Sequence, residues 1–174
     1  MNTKKMVHLA MLVSFGLVLH IIEGFIPNPF IGIAPGAKLG LANIVGLITL
    51  VIYGYKYAII VNMLRCFIAG IASGAITSMA YSMAGAFVST LLMYFVYKYF
   101  SKYFSLIGVS VFGALGHNVA QLTVAAIIIN NIRIYVYLPI MILTSIFTGV
   151  FIGLTANLAI QKTKLLFNNQ INII

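Results

Sequence analysis

Long apolar stretches separated by short polar or proline-bearing intervals dominate this chain. Apolar residues fill 6–26, 79–99, 104–129 and 135–161 with few interruptions, and each stretch supplies the ~20 residues a helix needs to cross a hydrocarbon layer of about 30 Å. The run 39–72 is too long for one crossing. Tyr53-Gly54-Tyr55-Lys56 stands in its middle, a turn glycine and a charge among interfacial aromatics, so the run divides into short helices over 39–54 and 57–72. The pattern predicts an all-α fold: a polytopic membrane protein, a six-transmembrane-helix bundle forming a single integral membrane domain over 1–174.

Composition gives the same picture. With 63% hydrophobic and 6% charged residues and a mean hydropathy of +1.13, the chain has more apolar surface than a soluble fold of this size can hide from water. Charge then sets an orientation. Lys4, Lys5, Lys56, Lys98, Lys102, Lys162 and Lys164 share the side of the amino terminus, whereas Lys38 and Arg133 lie opposite. Basic residues concentrate on the cytoplasmic side of membrane proteins, which places both termini in the cytoplasm and the chain in the cell membrane as a multi-pass protein. The lysines are isolated pairs flanking spans, with no basic stripe or stacking platform, so nucleic acid is excluded as a partner and the lipid bilayer is the expected one. The first apolar stretch is longer than a signal-peptide core and carries no small-residue cleavage site before Glu23, so it is expected to be retained. Cys66 is the only cysteine, which excludes an internal disulfide and a cysteine metal cluster.

The remaining polar residues are few enough to weigh singly. Pro27 to Lys38 holds three of the four prolines and yet carries Phe30, Ile31 and Ile33; too apolar for water and too broken for a helix, it is expected to fold over the bundle as an outer lid, or else to be a tight packed connection. Glu23 is the only acidic residue, and its simplest partner is Lys38, at similar depth and of opposite sign, as a structural ion pair. Arg65 lies nine residues past Lys56, ~13 Å along a helix and thus near mid-membrane. Counting along the helices puts Glu23 about three turns higher. Arg65 is therefore expected either to be satisfied by Asn62 and backbone oxygens or to line a cavity for an anion, since an intramembrane charge needs a polar partner. His117, Asn118 and Gln121 form a polar set in the fifth helix, with His117 and Gln121 on one face at i,i+4. Gly108, Gly113 and Gly116 thin that helix, for a close helix neighbour or for a ligand. Ala10 and Ser14 give the first helix a small-residue face suited to docking a partner helix.

Several chemistries have no residues to carry them. There is no phosphate loop. One glutamate cannot hold the magnesium ions through which a diphosphate is handled, and His8, His20 and His117 are too scattered for zinc. Without an aspartate there is no Ser/His/Asp set. The chain is expected not to be an enzyme and to need no cofactor or metal.

Pro35-Gly36-Ala37-Lys38-Leu39-Gly40-Leu41-Ala42-Asn43-Ile44, then Tyr53-Gly54-Tyr55-Lys56 and the helix with Arg65, resembles the Gx transporter family, also called heptaprenyl diphosphate synthase component I. Gly113-Ala114-Leu115-Gly116-His117-Asn118-Val119-Ala120-Gln121 looks like its second signature. The architecture is similar to the substrate-binding S components of energy-coupling factor (ECF) transporters, six-helix proteins with cytoplasmic termini, an outer lid loop and a small-residue docking face on helix one. That resemblance implies a substrate-binding or transport subunit for a small polar or anionic ligand, energised by a transmembrane coupling subunit with ATPases. On this reading Lys38, Asn43, Arg65, His117, Asn118 and Gln121 contact the ligand, and Ala10 and Ser14 dock the coupling subunit. The synthase name implies an alternative: a noncatalytic membrane component associated with a soluble prenyl diphosphate synthase subunit in menaquinone side-chain and isoprenoid metabolism.

Overall fold

A computed structural model describes residues 3–25 and 40–166, with side chains as far as Thr163. Every element among these residues is helical: α1 (Thr3–Gly24), α2 (Asn43–Tyr53), α3 (Tyr55–Ser73), α4 (Ile76–Phe100), α5 (Leu106–Ile129), a 3-10 segment (Ile132–Tyr137) and α6 (Leu138–Leu166). Five spans are long and apolar enough to cross a membrane: α1, α3, α4, α5, and the 3-10 segment continuing into α6. The chain is thus a multi-pass helical membrane protein by length and composition. Exposed Met11, Phe15, Ile71, Phe147 and Leu158 give the outside of the bundle the apolar surface that lipid requires.

The long run divides at Gly54, whose φ of +84° is open to glycine and strained for other residues. Its first half is shorter than the expected 39–54. The α2 helix begins at Asn43, behind Gly40 at φ +88° and a turn over Leu41 and Ala42. With 11 residues it is only ~16 Å long, half a membrane's thickness. This short helix is the centre of the fold. It touches α1, α3, α4 and α6, and every residue from Asn43 to Leu50 is buried. Ile44, Leu47, Ile48 and Leu50 join Met93, Val96, Val109, Ile152 and Ala156 in the main apolar core.

Around α2, α5 packs between α4 and α6, α3 lies on α4, and α1 lies on α3 and α2. Glycines set the closest approaches. A Cβ at Gly149 or Gly153 would come within 2.5 Å of the backbone of Val111 or Ile107, so α5 and α6 cross almost backbone to backbone. Gly113 and Gly116 pack on Met93 and Leu92 of α4, and Gly108 on Phe104, so the thinning of α5 serves packing with its neighbours.

One end of the bundle collects the start of α1, the α2–α3 turn and the end of α4. His8 Nδ1 is 3.0 Å from the Tyr53 hydroxyl, Lys5 Nζ lies 3.8 Å from the Tyr57 ring centre, and Tyr55 stacks on Tyr94 at 4.5 Å. His8 is therefore level with Tyr53, and the first turn of α1 projects beyond the α2–α3 turn.

Candidate functional site

About ten residues up α3 from Tyr55, and ten up α2 from Tyr53, Arg65 and Asn43 lie at one depth, ~15 Å from the turn that joins their helices. Both are buried, at 3% and 2% exposure. Polar groups from α1 and α5 meet them there, forming a hydrophilic cluster inside an apolar bundle.

The α1 helix contributes a stripe. Its buried residues are Leu9, Gly16, His20 and Glu23, spaced by seven, four and three, which puts them on one helix face. At Gly16 the missing side chain leaves room for the Arg65 stem: a Cβ there would stand 2.6 Å from Arg65 Cδ. One turn on, His20 Nδ1 lies 3.4 Å from Arg65 Nη1. Another turn on, the Glu23 carboxylate accepts hydrogen bonds from the amides of Gly40 and, at 3.2 Å, Leu41. These amides begin the turn that leads into α2, so Glu23 supplies from another helix the acceptor and negative charge that a helix start favours.

From α5 comes His117, 3% exposed. Its Nδ1 is 3.1 Å from Asn43 Nδ2 and its Nε2 is 2.9 Å from Gln121 Nε2. A neutral imidazole has one N–H and one lone pair, so one of these amides turns its oxygen to the ring. Two glycines hold the ring between them. A Cβ at Gly85 would come 2.6 Å from its Cε1 and Nδ1, and one at Gly40 would come 2.9 Å from its Cδ2. Gly40 thus joins both halves of the cluster, bonded to Glu23 and packed on His117.

Two polar atoms in this layer lack a hydrogen-bond partner among the described residues: Arg65 Nε and Asn43 Oδ1. The guanidinium has five N–H donors. Burying such a group incompletely bonded is costly.

The structure brings Asn43, His117 and Gln121 together and sets Arg65 beside them. Asn118 belongs elsewhere: its Nδ2 donates to Ser145 Oγ at 2.8 Å and to the Met141 carbonyl at 3.3 Å, tying α5 to α6. The Asn62 amide donates to Thr90 Oγ1 at 2.8 Å, and Arg65's described partner is His20, not Asn62. The three-turn separation of Glu23 from Arg65 is also corrected. With His8 level with Tyr53, α1 starts lower than counting from its first apolar residue implies, and Glu23 comes within one turn of His20. Lys38, its ion pair with Glu23 and the lid over 27–38 lie outside the described residues. Ala10 and Ser14 are exposed on α1, where the Ser14 hydroxyl donates to the Ala10 carbonyl at 3.0 Å.

His20, Gly16, Gly85 and Gly40 are the cluster members that sequence reasoning passed over. The seven, four, three spacing on α1 is the signal that carried the first two.

Fold and cluster together define a multi-pass helical membrane protein with a polar centre. Its residues 12–159 match the family model of heptaprenyl diphosphate synthase component I, and the chain belongs to that family. No curated protein and no solved structure matches it.

Proposed function

We propose that the chain is the membrane-embedded, noncatalytic component of a prenyl diphosphate synthase assembly in the cell membrane, working beside a soluble subunit that builds the isoprenoid chain. The observation that carries this reading is the family match over 12–159, which takes in every helix of the bundle from the second half of α1 into α6. The chemistry agrees with a division of labour. A diphosphate is handled through magnesium held on carboxylates, and the single carboxylate side chain, Glu23, is occupied with the start of α2. Reconstitution tests the reading. Synthase subunit mixed with vesicles containing this chain should become membrane-bound and release more heptaprenyl diphosphate than with empty vesicles; equal binding and output in both would contradict it.

The buried cluster favours a second reading, a substrate-binding or transport subunit like an ECF S component, taking a small polar or anionic ligand and energised by other subunits. Here Arg65, Asn43, His117 and Gln121 contact the ligand, Lys38 does so from the outer loop over 27–38, and Ala10 and Ser14 face a coupling subunit. Six crossings with both termini in the cytoplasm fit either reading. Arg65→Ala should then abolish ligand binding in a protein that still inserts and folds. Full affinity in that variant would contradict the ligand site.

A further inference from the structure

The outer face of α4 carries a long apolar ridge that ends at a pair of cations. We propose that this face binds one anionic phospholipid, with Lys98 and Lys102 on the phosphate of the headgroup and the ridge along an acyl chain.

The ridge is a row of residues spaced i, i+4. Phe87, Leu91, Phe95 and Tyr99 are all exposed, and on a helix such neighbours form a continuous ridge that winds slowly about the axis. From Phe87 to Tyr99 it runs ~18 Å, against ~15 Å for one leaflet of a ~30 Å hydrocarbon layer. Its lysine-bearing end is aromatic. The Phe95 ring centre lies 5.0 Å from that of Tyr99 and 5.9 Å from that of Phe100, a shelf of the kind that settles at the boundary between hydrocarbon and water.

Lys98 is held beside that shelf. Its Nζ lies 5.4 Å from the Tyr94 ring centre and 5.3 Å from that of Tyr99, and Tyr94 is itself stacked on Tyr55 at 4.5 Å. Both rings attract the ammonium, yet the side chain stays exposed and can meet an anion. Lys102 follows the helix, in a turn where the Tyr103 and Phe104 amides donate to the Phe100 carbonyl; exposed as well, it brings a second cation to the foot of α4. No carboxylate side chain competes for either lysine. Glu23 is the only acidic residue, and it is buried on α1 ~22 Å beyond His8, which is level with Tyr53 at this end. The anion that balances these lysines therefore comes from outside the chain. A lipid fits better than an acidic soluble protein, because the ridge runs along the flank of the bundle, where hydrocarbon surrounds it. Only an amphiphile meets the cations and the ridge at once.

The test compares melting of the full chain in mild detergent with added dioleoyl phosphatidylglycerol, dioleoyl phosphatidylcholine or glycerol 3-phosphate, followed with a thiol-reactive dye on buried Cys66. Phosphatidylglycerol should raise Tm saturably and the other two should not. Lys98→Gln with Lys102→Gln should weaken the apparent phosphatidylglycerol Kd about tenfold or more, as loss of two cations at a membrane surface does. Lys56→Gln with Lys162→Gln removes as much charge from exposed positions on other helices and should change it by no more than about twofold. A second readout needs no variant: phosphatidylglycerol with a photoreactive diazirine in its acyl chain should label the unaltered protein chiefly over 87–99. Equal melting in the two lipids would overturn the proposal and leave these lysines to an acidic soluble partner. Equal weakening in the two double variants would overturn it in favour of diffuse charge. Label spread evenly over the exposed helix faces, or a shift with glycerol 3-phosphate as large as with the lipid, would overturn it by removing the acyl chain from the ridge.

Discussion

Gly85 shows how much of this protein depends on single atoms that are missing. Its hydrogen lies where a methyl group would press on the His117 ring, 2.6 Å from two ring atoms. Gly85→Ala should therefore move the imidazole off Asn43 and lower stability by about 1–3 kcal/mol, the usual cost of overpacking. Gly24→Ala is the control, because no described residue lies within 4 Å of a Cβ there; its melting temperature, read with a thiol-reactive dye on buried Cys66, should be unchanged or slightly higher. A Gly85→Ala protein that melts with the parent would show that the ring is not held as described. At this scale the sequence was informative about charge and silent about direction. Arg65 and His117 stand out in any apolar run. Asn118 stands out equally, yet successive residues on a helix point about 100° apart, so the side chain beside His117 reaches Ser145 on α6 instead of the cluster. His20 was weighed only as a zinc ligand, because its place beside Arg65 depends on which face of α1 packs inward, a fact of tertiary structure.

The element that most depends on its neighbours is α2. Its interior is apolar enough to be recognised as a helix, and the break at Gly54 follows from a glycine among interfacial tyrosines. Its start at Asn43 does not follow from local sequence, because the carboxylate that satisfies the preceding amides comes from Glu23, 17 residues before Gly40. Glu23→Ala should leave two amides without an acceptor and cost roughly 1–3 kcal/mol for each that stays buried. Hydrogen exchange at Gly40 and Leu41 should accelerate in that variant while exchange within α4 stays slow. Equal protection at Gly40 and Leu41 with and without the carboxylate would remove Glu23 from its capping role. The two positive-φ turns separate in the same way. Gly74 has φ 65° and ψ 7°, a left-handed conformation that asparagine tolerates, whereas Gly54 has φ 84° and ψ 175°, which is essentially glycine's alone. Gly54→Asn should thus lower Tm clearly more than Gly74→Asn; equal losses would contradict the backbone described at the α2–α3 turn.

Across the whole molecule, lysines collect at the end of the bundle that carries the α2–α3 turn. Lys5 and Lys98 lie over tyrosine rings, with Lys4, Lys56 and Lys102 exposed near them in sequence, the arrangement expected where helices leave the bilayer. Reporter fusions at Lys102 and Gln161 should read cytoplasmic and one at Asn131 external. An external Gln161 would overturn the topology. That the chain is a helical membrane protein was legible from hydropathy alone, since lipid imposes long apolar helices. The central position of α2 was not, because a wholly buried short helix and a lipid-facing one read alike along the sequence. A role for this bundle as the membrane component of a prenyl diphosphate synthase assembly is tested by isolating the chain from its native membrane in mild detergent and quantifying the polypeptides bound to it. The predicted result is a prenyl diphosphate synthase subunit in near-stoichiometric amount; a coupling subunit with ATPases in its place, and no synthase subunit, would contradict the claim.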